Sequence, residues 1–304
     1  MVNGKALIIG LGSAGKRHSQ ILQQLGVEVF HVSRHAGDLG IAFQTVDAAC
    51  SAHKFAYVVI ANETSLHLST YNEVLYLCGP EVKILIEKPL FASVPADVLL
   101  NKNIFVGYNL RFSDELRALK CLINGSVVLS AQVYAGQYLP DWRPNIDYRQ
   151  SYSSSRVNGG GVLLDLSHEL DYSRWLFGEP IKSYMLAGKY SALEISSPDT
   201  AAIISKMERC QALSICINYT DRRKRREINI QTDKLSVIVD LVEKKISVNG
   251  TQKFFSGDSL SSYYRMHEAV FSNSKDLCSG EDGLRTLKWI CNLEGDENGH
   301  ADTV

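Results

Sequence analysis

The chain has 304 residues, which is enough for two domains with separate hydrophobic cores. Its formal net charge is −1 and 45% of its residues are apolar. A nearly neutral charge argues against general binding to nucleic acid or to an anionic membrane surface. No apolar stretch approaches the roughly 20 residues of a membrane span, and the first apolar run ends at Gly10, so neither a span nor a signal peptide is expected.

The cysteine pattern indicates reduced thiols rather than a disulfide framework. Seven cysteines are scattered along the chain, and no two of them form a C-x-x-C pair. This usage predicts a cytoplasmic protein. No metal site is predicted either, because His168-Glu169 and His267-Glu268 lack the second histidine of H-E-x-x-H.

The stretch KALIIGLGSAGKRH near the amino terminus places three glycines between an apolar strand, Ala6–Gly10, and a helical pattern, Ala14–Leu25. In the G-x-G-x-x-G pattern the first glycine permits the turn, the second lets the backbone approach a pyrophosphate, and the third lets the helix pack closely. A bare strand–helix turn would account for only one glycine. The residues predicted to hold a dinucleotide phosphate are Gly10, Gly12, Ser13, Ala14 and Gly15.

The next strand, Val27–Val32, ends where such enzymes distinguish NAD from NADP. It is followed by Ser33-Arg34-His35 instead of an acidic residue. A hydroxyl and a guanidinium suit a ribose 2′-phosphate, so Ser33 and Arg34 favour NADP over NAD. The alternative interpretation is a solvated basic loop.

Three further strands are predicted, at Ala56–Ala61, Val82–Ile86 and Ile104–Tyr108. Alternating strands and helices predict an α/β fold with an N-terminal Rossmann domain, a doubly wound parallel sheet. Ligands bind beyond the carboxyl ends of such strands. The polar residues that follow these strands are Asn62, Glu63, Thr64, His67, Glu87, Lys88, Asn109 and Arg111.

The second part of the chain alternates apolar residues at strand lengths, which predicts a C-terminal α+β domain with a large, mostly antiparallel open sheet of six or more strands. Helices are predicted around 114–123 and 165–176, and closing helices at Ser261–Ser272 and Gly283–Cys291. The charge run Asp221–Arg226 is interpreted as solvated, since most charge runs are. A phosphate site is not favoured there, because no helix amino terminus or glycine turn accompanies the run.

A long segment between the strands of this domain, residues 136–161, is rich in aromatic and basic side chains. Aromatic faces and guanidinium forks suit a sugar that carries a carboxylate or a phosphate, so an acidic or nucleotide-linked sugar is favoured. A loop that merely covers the sheet is an equally weighted alternative. The candidate substrate residues here are Trp142, Arg143, Tyr148, Arg149 and Tyr152.

Five motifs together resemble the glucose–fructose oxidoreductase / inositol dehydrogenase / MocA-type (Gfo/Idh/MocA) oxidoreductases. They are GLGSAG at 10–15, the Asn62-Glu63-Thr64 turn with His67, EKPL at 87–90, GYNLRF at 107–112 and GGGVLLDLSHELD at 159–171. The resemblance implies a dinucleotide-binding domain, 1–112, and a substrate-binding and oligomerisation domain, 113–304. It leaves open whether the final helices pack back on the first domain. A homodimer or homotetramer formed through the C-terminal sheet is implied.

The resemblance also implies the site residues. Lys88 would be a catalytic lysine beside the nicotinamide, and Asp165 and His168 would face the substrate from the second domain. His168 suits acid/base catalysis because an imidazole has an ordinary pKa of about 6.5. Further cofactor contacts are implied at Ala61, Asn62, Thr64, His67 and Glu87, and substrate contacts at Asn109 and Arg111.

The spacing of the catalytic pair departs from the family pattern. The family has Asp-x-x-x-His, whereas this chain has Asp165-Leu166-Ser167-His168. Residues three or four apart share one helical face, so the pair is expected to point into one cleft. If the histidine is the fixed point, Leu164 takes the usual aspartate position.

The predicted function is therefore an NAD(P)-dependent oxidoreductase acting on a hydroxyl or keto carbon of a sugar, with a place in surface-polysaccharide metabolism. Two alternatives remain at this stage. One is an NAD-dependent glycosidase-like enzyme of the same family. The other is a catalytically silent dinucleotide-binding regulator.

Overall fold

The computed structural model describes residues 4–33, 42–143, 146–157, 159–258 and 260–298. The chain divides into two compact units. The first unit comprises Met1–Phe112 and Asp258–Leu287, and the second comprises Ser113–Gly257 and Lys288–Val304. The segment Asp258–Leu287 thus packs with the amino-terminal part of the chain although it lies near the other end of the sequence.

The first unit contains a seven-stranded sheet in the order β15-β6-β5-β4-β1-β2-β3. Its strands are β1 (Lys5–Ile9), β2 (Glu28–Val32), β3 (Ala42–Phe43), β4 (Tyr57–Ile60), β5 (Lys83–Ile86), β6 (Ile104–Val106) and β15 (Cys278–Ser279). All neighbours are parallel except the edge pair β6–β15. The predicted Rossmann-type parallel sheet is confirmed.

Helices cover this sheet and bury an almost continuous apolar core. The helices of this unit are α1 (Ser13–Gln24), α2 (Val46–Ala52), α3 (His67–Cys78), α7 (Ser261–Ser272) and the first part of α8 (Gly280–Asn298). Strand β4 is buried along its whole length, as expected for a central parallel strand. Helix α7 contributes Met266 and Val270, both fully buried, to the same cluster as Leu22 and Val59.

The second unit contains an eight-stranded sheet in the order β14-β13-β12-β11-β7-β10-β9-β8. Its strands are β7 (Val128–Gly136), β8 (Pro180–Gly188), β9 (Thr200–Met207), β10 (Cys210–Asn218), β11 (Arg225–Thr232), β12 (Ser236–Asp240), β13 (Lys245–Val248) and β14 (Thr251–Phe254). Only the pair β7–β10 is parallel. The predicted α+β domain with a large, mostly antiparallel sheet is confirmed.

One face of this second sheet is buried and the other is open. The helices of this unit are α4 (Asp114–Ile123), α5 (Val162–Asp165), α6 (His168–Phe177) and the end of α8. On the opposite face, directly paired residues form one row across six strands. That row consists of Ile238, Asn229, Gln132, Ser214, Ile204 and Tyr184. Ile204 and Tyr184 are 65% and 61% exposed, which is unusual for large apolar side chains on a wide sheet.

The charge run at the start of β11 is less solvated than its sequence predicts. Arg225 pairs with Asp221 at 2.8 Å, and Arg226 pairs with the fully buried Glu169 at 2.8 Å. Arg222 lies 3.5 Å above the ring of Tyr138. The expectation of a solvated run is therefore wrong for Arg226, which meets the buried carboxylate of Glu169 from α6, whereas Arg222, Arg223 and Lys224 are exposed as expected.

Across the ranges that the structure describes, no helix combines the length and the apolar character that a membrane crossing would need.

Candidate active site

The three glycines of the first turn differ in what surrounds them. Gly10 has φ of 97°, and a Cβ there would lie 2.6 Å from the carbonyl oxygen of Ala61. A Cβ on Gly15 would overlap the carbonyl oxygen of Gly10. A Cβ on Gly12 would have no atom of the described structure within 4 Å. Packing inside the protein therefore explains the first and third glycines, whereas the second borders open space.

That open space lies at the amino terminus of α1. Gly12 is the N-cap residue and no side-chain cap is present, so the backbone N–H groups of Ser13, Ala14 and Gly15 begin the helix without one. Nearby, at the end of β4, the Oδ1 atom of Asn62 is buried and has no hydrogen-bond partner among the described residues. Free amide donors and the positive end of a helix dipole suit a pyrophosphate, so these residues fit a dinucleotide.

The residues predicted to distinguish NADP from NAD are only partly covered. Ser33 follows β2, and its backbone N–H donates to the carbonyl oxygen of Phe43 at 3.2 Å. Arg34 lies outside the described residues. Of the other predicted cofactor contacts, Ala61 donates its N–H to Ile9 at 2.8 Å, and Thr64 begins a short 3₁₀ turn before α3.

His67 opens α3, as predicted, but its ring is buried. It is 1% exposed, and burial lowers the pKa of its imidazole. Its Nδ1 lies 3.1 Å from the carbonyl oxygen of Pro89 and 3.2 Å from that of Leu90, and its Nε2 lies 3.2 Å from that of Asn62. These contacts tie the segments after β4 and β5 together. A direct contact of His67 with the cofactor stays a prediction.

Glu87 and Lys88 follow β5. The carboxylate of Glu87 is almost buried, with Oε1 2.9 Å from Nε2 of His18 and Oε2 accepting the backbone N–H of Lys88 at 3.1 Å. Burial by itself would raise the pKa of Glu87, but His18 and the charge of Lys88 together hold it below its usual value. Glu87 is therefore an ionised carboxylate at neutral pH. Lys88 is half-buried, and the peptide bond to Pro89 is cis.

Asn109 and Arg111, the predicted substrate residues of this unit, are both buried and bonded within it. Asn109 donates to the hydroxyl of Ser262 at 2.7 Å. Arg111 is 3% exposed, donates to the carbonyl oxygen of Leu277 at 3.3 Å and lies 3.8 Å from Asp282. Both side chains therefore fasten the returning segment to the first unit. Their contact with a substrate stays a prediction, which these bonds do not support.

In the second unit, the helix predicted over 165–176 is broken. Helix α5 ends at Asp165, Leu166 leaves the helical region with φ of −100° and ψ of 31°, and α6 begins at His168. The argument that both side chains share one helical face is therefore wrong, because they belong to two helices. Both side chains are nonetheless almost buried, at 4% and 9% exposed. Between them, the buried hydroxyl of Ser167 has no partner among the described residues.

Asp165 is the centre of an aromatic cluster. The hydroxyl of Tyr219 donates to its Oδ2 at 2.6 Å, and Trp142 packs edge-on against Tyr219 at 5.2 Å between ring centroids. Tyr152 also reaches Asp165: burial, and then the negative charge of Asp165, raise the pKa of this phenol, while the charge of Arg143 opposes the rise. Three of the predicted substrate residues, namely Trp142, Arg143 and Tyr152, therefore gather around this carboxylate.

The other two predicted substrate residues lie elsewhere. Arg149 pairs with Asp147 and Glu194, both at 2.9 Å, and these bonds raise the pKa of its guanidinium. The hydroxyl of Tyr148 accepts the backbone N–H of Glu194 at 3.3 Å. Arg149 and Lys189 line an open groove of about 510 Å³ that includes neither Asp165 nor His168. The segment 136–161 thus contributes to two separate surfaces.

Sequence reasoning missed three residues that the structure brings to these sites. Tyr219 directly follows β10 and bonds to Asp165, whereas His18 and His267 meet behind Glu87 at 2.8 Å. His18 stands three residues after the last glycine of the motif, so its position on α1 was visible in the sequence. Among the described residues, no group of three or more histidine, cysteine, aspartate or glutamate side chains is arranged to hold a metal ion.

Comparison with known proteins gives one family match and many structural matches. Residues 127–240 match the sequence model of the GFO/IDH/MocA C-terminal domain. No curated protein matches the chain significantly. An oxidoreductase from Agrobacterium radiobacter in complex with NAD+, L-tartaric acid and magnesium is 17% identical, with 98% of each chain covered and a TM-score of 0.81.

Two other solved structures have a nucleotide sugar in the protein's name or as a bound ligand. UDP-N-acetylglucosamine 3-dehydrogenase GnnA from Acidithiobacillus ferrooxidans is 18% identical, covers 96% of this chain and 97% of its own, and has a TM-score of 0.75. The WlbA dehydrogenase from Bordetella pertussis, in complex with NADH and UDP-GlcNAcA, is 17% identical, covers 97% and 96%, and has a TM-score of 0.76. The match over residues 127–240 confirms the predicted Gfo/Idh/MocA resemblance for the C-terminal domain, and the solved structures show that the chain shares their fold.

Proposed function

We propose that this protein is an NAD(P)-dependent oxidoreductase that transfers a hydride between the nicotinamide and a hydroxyl or keto carbon of a sugar or sugar derivative. The observation that carries the proposal is the open space beside Gly12, where an uncapped helix begins and the buried Oδ1 of Asn62 lacks a partner. Packing within the protein does not require a glycine at this position. A phosphate that approaches the backbone does.

NADP is the preferred cofactor in this proposal and NAD is the second choice. Ser33-Arg34 after β2 offers a hydroxyl and a guanidinium where an NAD enzyme would present a carboxylate. The relatives from Agrobacterium and Bordetella were solved with NAD+ and NADH, which keeps NAD as the second choice. Comparing the two cofactors under identical conditions tests the preference.

The chemistry is divided between three side chains. The bound nicotinamide supplies or accepts the hydride. His168 removes the hydroxyl proton of the carbinol or returns it, and Lys88 holds the reacting oxygen with its ammonium donors and relays the proton. Tyr219 donates to Asp165 at 2.6 Å, and Asp165 orients the substrate or its neighbours.

An acidic or nucleotide-linked sugar is the proposed substrate, within surface-polysaccharide metabolism. Trp142 and Tyr152 present aromatic faces near Asp165, and Arg143 brings a positive charge close to the phenol of Tyr152. An aromatic surface binds the apolar face of a sugar ring, and a guanidinium binds a carboxylate or phosphate. The nucleotide-sugar relatives GnnA and WlbA support the same class.

The test begins with cofactor binding and ends with turnover. We expect NADPH to raise the melting temperature more than NADH, and a panel of UDP-sugars and sugar acids to yield a substrate that changes absorbance at 340 nm. Lys88→Ala and His168→Ala should each abolish turnover, whereas Lys102→Ala, at an exposed lysine of the first unit, should not. Product formed without net cofactor reduction would favour the glycosidase-like alternative. Binding without any turnover would favour the silent regulator.

We also propose that a second copy of the chain covers the open face of the second sheet, giving a homodimer or homotetramer. The exposed apolar residues Ile204 and Tyr184 lie on the same row of that face. Ile204→Lys should lower the mass measured by light scattering, while Lys102→Glu, at an exposed lysine of the first unit, is the control outside this face. An unchanged mass would contradict the proposal that subunits meet through this face.

The free cysteines fit a cytoplasmic location.

A further inference from the structure

Four titratable side chains form one buried hydrogen-bonded chain inside the first unit. The hydroxyl of Tyr57 lies 2.9 Å from Nδ1 of His267, and Nε2 of His267 lies 2.8 Å from Nδ1 of His18. Nε2 of His18 lies 2.9 Å from Oε1 of Glu87. Both histidines are 0% exposed and Tyr57 is 2% exposed. The predicted chemistry of the site uses neither histidine.

The polarity of this chain follows from the end at Glu87. A carboxylate only accepts, so His18 must donate from Nε2, and a neutral His18 then accepts at Nδ1. His267 therefore donates from Nε2 and accepts at Nδ1, where the phenol of Tyr57 donates. The opposite polarity, with both ring nitrogens of His18 protonated, would leave the phenol proton buried without an acceptor in the chain. Such a group is costly.

This hydrogen-bonded chain of four side chains is a poor path for protons. Burial raises the pKa of Tyr57 well above its usual value and lowers that of His267 well below its own. Near neutral pH these two groups keep their protonation states. Because the chain ends at a phenol that is almost fully buried, it fixes a geometry instead of connecting the site to solvent.

The hydrogen-bonded chain of Tyr57, His267, His18 and Glu87 fixes the turn that carries Lys88. Glu87 receives His18 on one oxygen and the backbone N–H of Lys88 on the other, at 2.9 and 3.1 Å. A carboxylate held on both oxygens has one orientation and a constant charge. We propose that His18, His267 and Tyr57 are positioning residues: they hold Glu87 ionised and, through it, hold the Lys88 backbone in place. The assignment of Lys88 as a catalytic residue rests on the proposed function.

The polarity can be tested by measuring the ring tautomers. In protein labelled with ¹⁵N-histidine, long-range ¹H–¹⁵N spectra at pH 7.5 distinguish Nδ1–H, Nε2–H and doubly protonated rings. We expect Nε2–H for both His18 and His267. A doubly protonated His18, or an Nδ1–H form of either ring, would overturn the proposal.

The positioning role can be tested at the Lys88 amide, since its hydrogen exchange reports the bond to Glu87 without any substrate. His267→Phe keeps a ring but removes the donor to His18, so exchange at Lys88 should accelerate about tenfold. His267→Gln retains a donor and should restore most of the protection. Tyr57→Phe serves if the first variant does not fold. Its matched control is Tyr71→Phe, whose buried phenol donates to the carbonyl oxygen of Leu99 in the same unit.

Equal exchange at Lys88 in wild type, His267→Phe and Tyr57→Phe would refute the positioning role. Acceleration by Tyr71→Phe of the same size would do so as well, because it would show a general loss of stability. These results do not depend on the proposed function, which fails separately if wild-type protein binds neither NADPH nor NADH in a fluorescence titration.

Discussion

Replacing Gly12 by alanine should separate cofactor binding from folding. The backbone of Gly12 has φ of −67° and ψ of −170°, an extended conformation that alanine adopts without strain. The added Cβ meets no described atom within 4 Å. We therefore expect the free energy of unfolding to change by no more than about 0.5 kcal/mol. The methyl group enters the space assigned to the pyrophosphate, and the Kd for NADPH should rise at least about tenfold, or about 1.4 kcal/mol.

Gly15→Ala is the matched variant, and it should lower the stability of the fold instead of acting through the cofactor space. Its Cβ would overlap the carbonyl oxygen of Gly10, a backbone atom that moves only if the strand–helix turn moves. Overpacking of this kind costs about 1–3 kcal/mol, which corresponds to a melting temperature lower by several degrees. This variant should lose stability with or without cofactor present.

Both variants are compared with wild type by urea unfolding in the absence of cofactor and by fluorescence titration with NADPH and NADH. The reasoning fails if Gly12→Ala binds NADPH as tightly as wild type. It fails equally if Gly15→Ala unfolds at the urea concentration of wild type, because the close approach of the helix to Gly10 would then be unimportant.

Three further outcomes are expected. Burial by itself would raise the pKa of Asp199, but hydrogen bonds from a neighbouring hydroxyl and from backbone amides together lower it below its usual value. The ionised Asp199 therefore stabilises the folded protein at neutral pH, and this stabilisation is lost as the pH falls through the folded-state pKa. Asp199→Asn should thus cost about 1–3 kcal/mol in urea unfolding at pH 7 and less at pH 3, with the exposed Asp97→Asn unchanged. Burial, and to a smaller extent contact with a neighbouring thiol, raises the pKa of Cys50 to about 12. At pH 8 iodoacetamide should therefore modify the exposed Cys121 before Cys50, as measured by mass spectrometry. Faster labelling of Cys50 would contradict this. Tyr219→Phe removes the 2.6 Å bond to the buried carboxylate of the second unit and should lower kcat about tenfold while the NADPH Kd stays within about twofold; an unchanged kcat would argue against a role for that carboxylate.

The sequence predicts the elements whose patterns are long and local. The apolar run of β1, the glycines and the helical pattern of α1 all lie within twenty residues, and the structure places Lys5–Ile9 and Ser13–Gln24 there. Helix α2, with seven residues, and β3, with two, are too short for periodicity to indicate them. The break between α5 and α6 was missed because Leu166-Ser167 are ordinary helical residues by propensity.

Site residues were predictable where a motif carries them and not where the fold supplies them. Asp165 stands in a recognisable stretch, but its partner Tyr219 comes 54 residues later, just after the end of β10. His18 meets His267 across 249 residues. A sequence without aligned relatives gives no signal for such pairs, because each partner alone is an ordinary core residue.

The return of Asp258–Leu287 to the first unit affects how the protein is made. During synthesis on the ribosome, the strands up to β6 emerge long before α7, which supplies Met266 and Val270 to their shared core. Until α7 leaves the ribosome, the nascent residues 1–112 expose an apolar face that chaperones recognise. Truncation at residue 112 should therefore yield an aggregating fragment. A chimera that exchanges the whole first unit must exchange two separate stretches of sequence, 1–112 and 258–287.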